Sequence, residues 1–151
     1  MVALALTDGD VLLVQTDDGG ELLKRAGFVE MTSGFETMAY LCLFGGNETD
    51  AGGTDLTYMW WGNYDEPDPE KWLRSETQFV IHGLPRTFEN LRKIEDAARR
   101  DLNIFIKQKI ASEVKVQAEP FGRSAVKLLI DINAFGVEYK FNFVENWRNA
   151  E

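Results

Sequence analysis

The most regular hydrophobic pattern lies toward the C-terminus. Val114, Val116 and Ala118 alternate with Lys115, Gln117 and Glu119. Val126, Leu128, Ile130 and Ile132 alternate with Lys127, Asp131 and Asn133, and Val137, Tyr139, Phe141 and Phe143 with Glu138, Lys140 and Asn142. A period of two with one apolar face predicts a three-strand antiparallel meander packed on one side. Its turns fall at Pro120-Phe121-Gly122 and Phe135-Gly136. Ahead of it, Phe88, Leu91, Ile94, Ala98, Leu102, Phe105 and Ile106 recur at threes and fours, which predicts a helix from Thr87, a natural N-cap, to about Lys109. The other side of that helix carries Arg92, Lys93, Glu95, Asp96, Arg99 and Arg100, the mixture expected of a solvated face laced with ion pairs.

The N-terminal half is less periodic. Val2–Leu6 and Val11–Val14 bracket Asp8-Gly9-Asp10 as a β-hairpin would, and Asp17-Asp18-Gly19-Gly20 turns toward a short extended piece at Phe28–Met31. Ser33-Gly34-Phe35-Glu36 reads as a capping box opening a helix that ends at Gly45-Gly46. Phe35, Met38, Ala39 and Cys42 share one face of that helix, making Cys42 a core residue. Residues 45–69 read as a long irregular segment. It holds four aromatics within seven residues, Tyr58, Trp60, Trp61 and Tyr64, which either cover the core or form an exposed contact patch. Helix-compatible spacing resumes from Glu70 to Ile81, and His82-Gly83-Leu84-Pro85 breaks it. The expectation is a single α+β domain over residues 1–151. An antiparallel sheet, made of the N-terminal hairpin and the C-terminal meander, packs with one long and one or two shorter helices.

Composition narrows the chemistry. With one Cys and one His among 151 residues, a zinc site of about four ligands has only His82 and Cys42 to draw on. A lone Cys excludes an internal disulfide framework and suits a reducing compartment. The acid spacing of residues 45–69 does not fit a calcium loop, and neither a phosphate-binding loop nor a dinucleotide fingerprint is present. No metal and no cofactor is expected. No apolar run reaches the roughly 18–20 residues a membrane span needs, and the first residues lack the basic start of a secretory signal. A soluble protein, cytosolic at synthesis, is expected. The formal charge of −9 disfavours nucleic acid as a partner. That charge is polarised: residues 1–70 carry fourteen acids against Lys24 and Arg25, and residues 71–151 carry fourteen bases and eleven acids.

Several features occur in a telling order: a short hairpin, a helix ending Leu41-Cys42-Leu43-Phe44, a Gly/Asp-rich loop, Trp60-Trp61-Gly62-Asn63, and Trp72-Leu73. A long helix containing Glu95-Asp96-Ala97-Ala98-Arg99-Arg100 follows, then strands ending near Trp147. From about Thr32 to Trp147 this resembles the Mu-type contractile-phage baseplate wedge family. That family is similar to the inner wedge and sheath-initiating (lysozyme-like wedge) proteins of T-even phages and to their counterparts in R-type pyocins and type VI secretion. The Trp-Trp-Gly element after a Gly/Asp loop is the most specific piece. There are departures. The Asp-Arg-Arg-like stretch usual in the family is replaced by Gly45-Gly46-Asn47-Glu48-Thr49-Asp50, and Ser112-Glu113-Val114-Lys115 keeps the acid of a Glu-Pro-Arg element without its proline or arginine.

The resemblance implies a non-enzymatic structural subunit of the virion tail baseplate, assembled in the host cytoplasm and present in multiple copies around the tail axis. Its partners would be other wedge proteins, the tail hub, and sheath or tube proteins, with neither nucleic acid nor membrane among them. It could template the first sheath ring by strand addition at an exposed sheet edge. Trp60, Trp61, Gly62, Asn63, Tyr64, Trp72 and Glu113 are the candidate interface residues. Two alternatives come from the same region. One is a carboxylate-based glycoside hydrolase drawing on Glu48, Asp50, Asp55, Asp65 or Glu66. The other is a small carbohydrate-binding module built on Trp60, Trp61 and Tyr64.

Overall fold

A computed structural model of the chain describes residues 10–11, 13–16, 19–22, 24–25, 28–29 and 31–32 as backbone, and residues 35–46 and 60–147 in full. The chain divides into two compact units, residues 1–40 and 41–151. The fold class is α+β, with short antiparallel strand pairs first, then helices, then a three-strand antiparallel sheet.

In the first unit, β1 (Asp10–Val11) pairs with β6 (Met31–Thr32), β2 (Leu13–Thr16) with β3 (Gly19–Leu22), and β4 (Lys24–Arg25) with β5 (Phe28–Val29). The expected hairpin of Val2–Leu6 with Val11–Val14 lies in part outside the described residues. Leu13–Thr16 pairs forward with Gly19–Leu22, and Thr16 stands opposite Gly19. Only positions 17 and 18 then separate the strands, the shortest common antiparallel connection, and the Asp/Gly-rich sequence there suits it. Val2–Leu6, Asp8-Gly9, Ser33 and residues 47–59 lie outside the described residues.

Helix α1 (Phe35–Phe44) ends before Gly45 as the sequence predicts. Ala39 and Cys42 are buried as expected, joined by Thr37, Tyr40 and Leu43. The Gly45 amide closes the last turn on the Leu41 carbonyl at 2.9 Å. That carbonyl also accepts the Ser75 hydroxyl (3.1 Å), whose oxygen in turn accepts the Gly45 N–H (2.9 Å). Ser75 is fully buried and held in the left-handed region at φ 46°.

This arrangement shifts the next helix. The periodicity predicts helix from Glu70, but α2 spans Glu76–Gly83, preceded by a 3₁₀ turn at Pro69–Lys71 and extended chain from Trp72. Ser75 is spent on α1, so the N-terminus of α2 is capped from another element. The Asp101 carboxylate accepts from the Glu76 amide (3.0 Å), the Thr77 amide (2.8 Å) and the Thr77 hydroxyl (2.7 Å). An anion at a helix N-terminus satisfies donors that have no partner inside the helix.

Helix α3 (Phe88–Leu102) starts where predicted, with Thr87 accepting the Asn90 amide at 3.1 Å. The expected single helix to Lys109 is broken at Asn103, and α4 (Ile104–Lys107) follows as one turn. Leu91, Ile94, Ala98, Leu102 and Phe105 are buried as the periodicity predicts. Phe88 and Ile106 are not: both are exposed, Phe88 at the first turn of the helix.

Strands β7 (Glu113–Phe121), β8 (Ala125–Ala134) and β9 (Val137–Asn146) form the expected meander in the order β7-β8-β9. Val116 opposite Ile130 and Leu128 opposite Phe143 fix one apolar face. Pro120 and Phe121 belong to β7, so its turn begins two residues later than expected, at Gly122. The β8–β9 turn is Phe135-Gly136 with φ of 54° and 78°, the doubly left-handed form whose twist suits a two-residue hairpin. Phe44 meets Phe143 edge-on at 6.1 Å. Trp147 is buried, donating its indole N–H to the Leu84 carbonyl (2.7 Å) and its amide to Ser124 (2.6 Å).

Candidate interaction surface

Trp60 to Trp72 forms a compact knuckle. The segment expected to be irregular contains a 3₁₀ turn at Trp61–Asp65. Inside it, Asn63 is 1% exposed and pairs with both backbone polar groups of Leu73, Nδ2 donating to the Leu73 carbonyl (2.8 Å) and Oδ1 accepting the Leu73 amide (3.0 Å). A buried side-chain amide paired in this way replaces a strand partner and satisfies both backbone polar groups of that residue.

Gly62 is required by a close approach. A Cβ at that position would lie 2.2–2.7 Å from atoms of the Trp60 ring, so that ring folds directly over the glycine. Trp72 is half-buried and donates its indole N–H to the Glu66 carbonyl at 2.8 Å. Glu66 Oε1 accepts the Asp68 amide (3.0 Å), and Asp68 accepts the Glu70 amide (3.0 Å), which starts the Pro69–Lys71 turn. Arg74 donates to the Pro69 carbonyl (3.3 Å) and stacks over Trp72 at 5.8 Å.

The outward groups are Trp61, 71% exposed, and Tyr64, 53% exposed. Trp60 lies against Trp61 with ring centres 5.6 Å apart. The aromatic run thus divides: Trp60 and Trp72 brace the turn, whereas Trp61 and Tyr64 face solvent. Tyr58 lies outside the described residues. Glu113 is elsewhere, exposed at the start of β7 with Lys115 at 3.6 Å. Six of the seven candidate interface residues therefore share one continuous element, and Glu113 sits on the sheet.

The carboxylates weighed for hydrolysis divide as well. Glu48, Asp50 and Asp55 lie outside the described residues. Asp65 and Glu66 are consecutive at the end of the 3₁₀ turn, and Glu66 is engaged in its local turn. Among the described residues no group of three or more His, Cys, Asp or Glu could hold a metal, and no helix is long and apolar enough to cross a membrane.

Two functional details are missing from the sequence reading. Asp101 is one: burial pushes its carboxyl up to about 6, while the hydrogen bonds from Thr77 and Glu76 pull the other way. Burial also raises the Cys42 thiol far above its ordinary range, so it stays protonated in the core. The second is the sheet edge at β7. Glu95 accepts the Ala118 amide (3.0 Å) and Arg99 donates to the Val116 carbonyl (3.2 Å), while Arg99 also pairs with Glu95 and Asp96. Two residues expected on a solvated face thus occupy the outer edge of β7, and Pro120 has no amide to offer there. The only signal for this was the mixed charge at threes and fours.

Neither a family model, nor a curated protein, nor a solved structure matches this chain.

Proposed function

We propose that this chain is a structural subunit of a contractile phage, or phage-tail-like, baseplate wedge, acting through contacts rather than catalysis. The observation that carries the reading is the build of the Trp60-Trp61-Gly62-Asn63 knuckle. The residues that fix its shape, Gly62 under the Trp60 ring and Asn63 on the Leu73 peptide, face inward. The large aromatic at its tip faces out. A turn held by buried contacts that presents a largely exposed indole to solvent is the form of a preorganised contact.

The sheet supports the same reading. Its β7 edge is occupied by side chains of α3, whereas β9, the opposite edge, has no strand beside it among the described residues. Strand addition from a neighbouring subunit would therefore use β9. The partners proposed are larger wedge subunits, the hub, and sheath or tube proteins, with several copies around the tail axis and the virion baseplate as the final location.

The test is co-expression with a candidate larger wedge subunit, followed by a size measurement of the purified material. A stoichiometric complex is the expected result. Muralytic turnover abolished by one carboxylate-to-amide change, with no complex formed, would replace this reading with the hydrolase. Saturable glycan binding without a complex would replace it with a carbohydrate-binding module.

A further inference from the structure

We infer that the exposed face of Trp61 receives an arginine side chain from a partner protein, and that the acidic chain around it draws that cation in. The inference rests on the wedge reading only for the partner's identity; the chemistry stands on the knuckle itself.

The other cation–aromatic pairs are the first argument. Phe88 and Phe121, both exposed, each carry a cation of their own chain, Arg92 at 6.0 Å and Lys127 at 5.8 Å. Trp72 carries Arg74 at 5.8 Å. Trp61 has the most electron-rich ring type of the set, yet among the described residues no cation lies over it. The second argument is charge. Between Arg25 and Lys71 the sequence contains nine acids and no Lys or Arg; Asp65, Glu66, Asp68 and Glu70 follow Trp61 within nine positions. Of the two nearest bases, Arg74 is committed to Trp72 and the Pro69 carbonyl. Among the described residues neither Lys71 nor any other base lies over the Trp61 ring, which leaves that face open to a cation from another molecule.

The form of the site selects the partner. A planar, weakly hydrated guanidinium stacks flat on an indole, whereas an ammonium keeps its water more firmly. Because Asn63 and Gly62 already fix the turn, little ordering cost remains when the contact forms. Nucleic acid would meet repulsion from the acids, and a neutral glycan would gain nothing from them.

The test uses the full chain and synthetic hexa-arginine, with hexalysine and hexacitrulline peptides as controls. It follows the four indole N–H signals by NMR, with Trp61 assigned through Trp61→Phe. The Trp61 signal should move most with hexa-arginine, less with hexalysine, and not with the uncharged peptide. Trp61→Leu should weaken binding about two- to fivefold, the weight of an exposed cation–π contact. Asp65→Asn with Glu70→Gln should weaken it further and reduce its salt dependence. Binding unaffected by Trp61→Leu would overturn the inference, as would equal shifts with hexacitrulline or larger shifts with chitohexaose. Arginine binding by a chain that forms no complex with wedge subunits contradicts the wedge reading and leaves this inference standing. A wedge complex whose affinity survives Trp61→Leu does the reverse.

Discussion

Asn63 holds both the backbone N–H and the backbone carbonyl of Leu73, at 3.0 Å and 2.8 Å, across ten residues of chain. That pair closes the knuckle as a strand ladder closes a hairpin. Asn63→Ala leaves a buried N–H and a buried C=O without partners, at a cost of about 1–3 kcal/mol each in the limit. Urea melts should show the loss. Asn63→Asp should cost more than Asn63→Leu, because it buries a charge and sets a carboxylate oxygen against the Leu73 carbonyl.

Gly62→Ala places a methyl inside the space of the Trp60 ring. Overpacking of this kind costs about 1–3 kcal/mol. In a Trp60→Leu background the same change should cost much less, since the obstructing ring is gone. A double-mutant cycle measures the coupling, and additive effects would mean that the ring moves aside freely.

The Asp101 carboxyl is raised from 3.8 to about 6 because burial outweighs its hydrogen bonds. The folded chain then holds a proton more tightly than the unfolded chain. This group's contribution is fully present below pH 3.8 and is lost as pH rises through about 6. Its full range is on the order of 2–3 kcal/mol. Stability should therefore rise from pH 7 toward pH 5 in the native chain, and Asp101→Asn should flatten that slope. An unchanged slope in the variant would assign the effect to other groups.

Glu95→Ala frees the Ala118 amide on the edge of β7. Hydrogen exchange at that amide should accelerate, while the amides of β8 keep their protection. Glu95→Gln retains an acceptor oxygen and should behave close to native. The double change Glu95→Ala, Arg99→Ala should expose a pairing edge and raise the tendency to aggregate.

What the sequence made legible follows the range of the interactions. The meander and the start of α3 rest on local alternation and on a cap three residues away, and both stand where the pattern places them. The start of α2 does not. The spacing places it at Glu70, but the Ser75 hydroxyl is taken by Leu41 and Gly45, and Asp101 arrives from twenty-five residues away to cap the helix at Glu76. The side of α3 that binds β7 was hidden for the same reason, since Glu95 and Arg99 look like ordinary surface charges until the strand edge is beside them. At the knuckle, the sequence marked the aromatic run without dividing it. The division is decided by the approach of Trp60 to Gly62 and by the pairing of Asn63 with Leu73.

The central claim, that the knuckle is built for assembly rather than for the core, is tested most directly by Trp61→Ala. Its melting temperature should be measured beside its co-purification with the proposed partner, a larger wedge subunit. Trp61 is exposed, so the melt should stay within about 0.5 kcal/mol of native. Loss of a buried interface aromatic should cost the complex about 2 kcal/mol or more, roughly a thirtyfold fall in affinity. A melt that collapses while assembly declines only in proportion to the folded fraction would contradict the account and return Trp61 to the core.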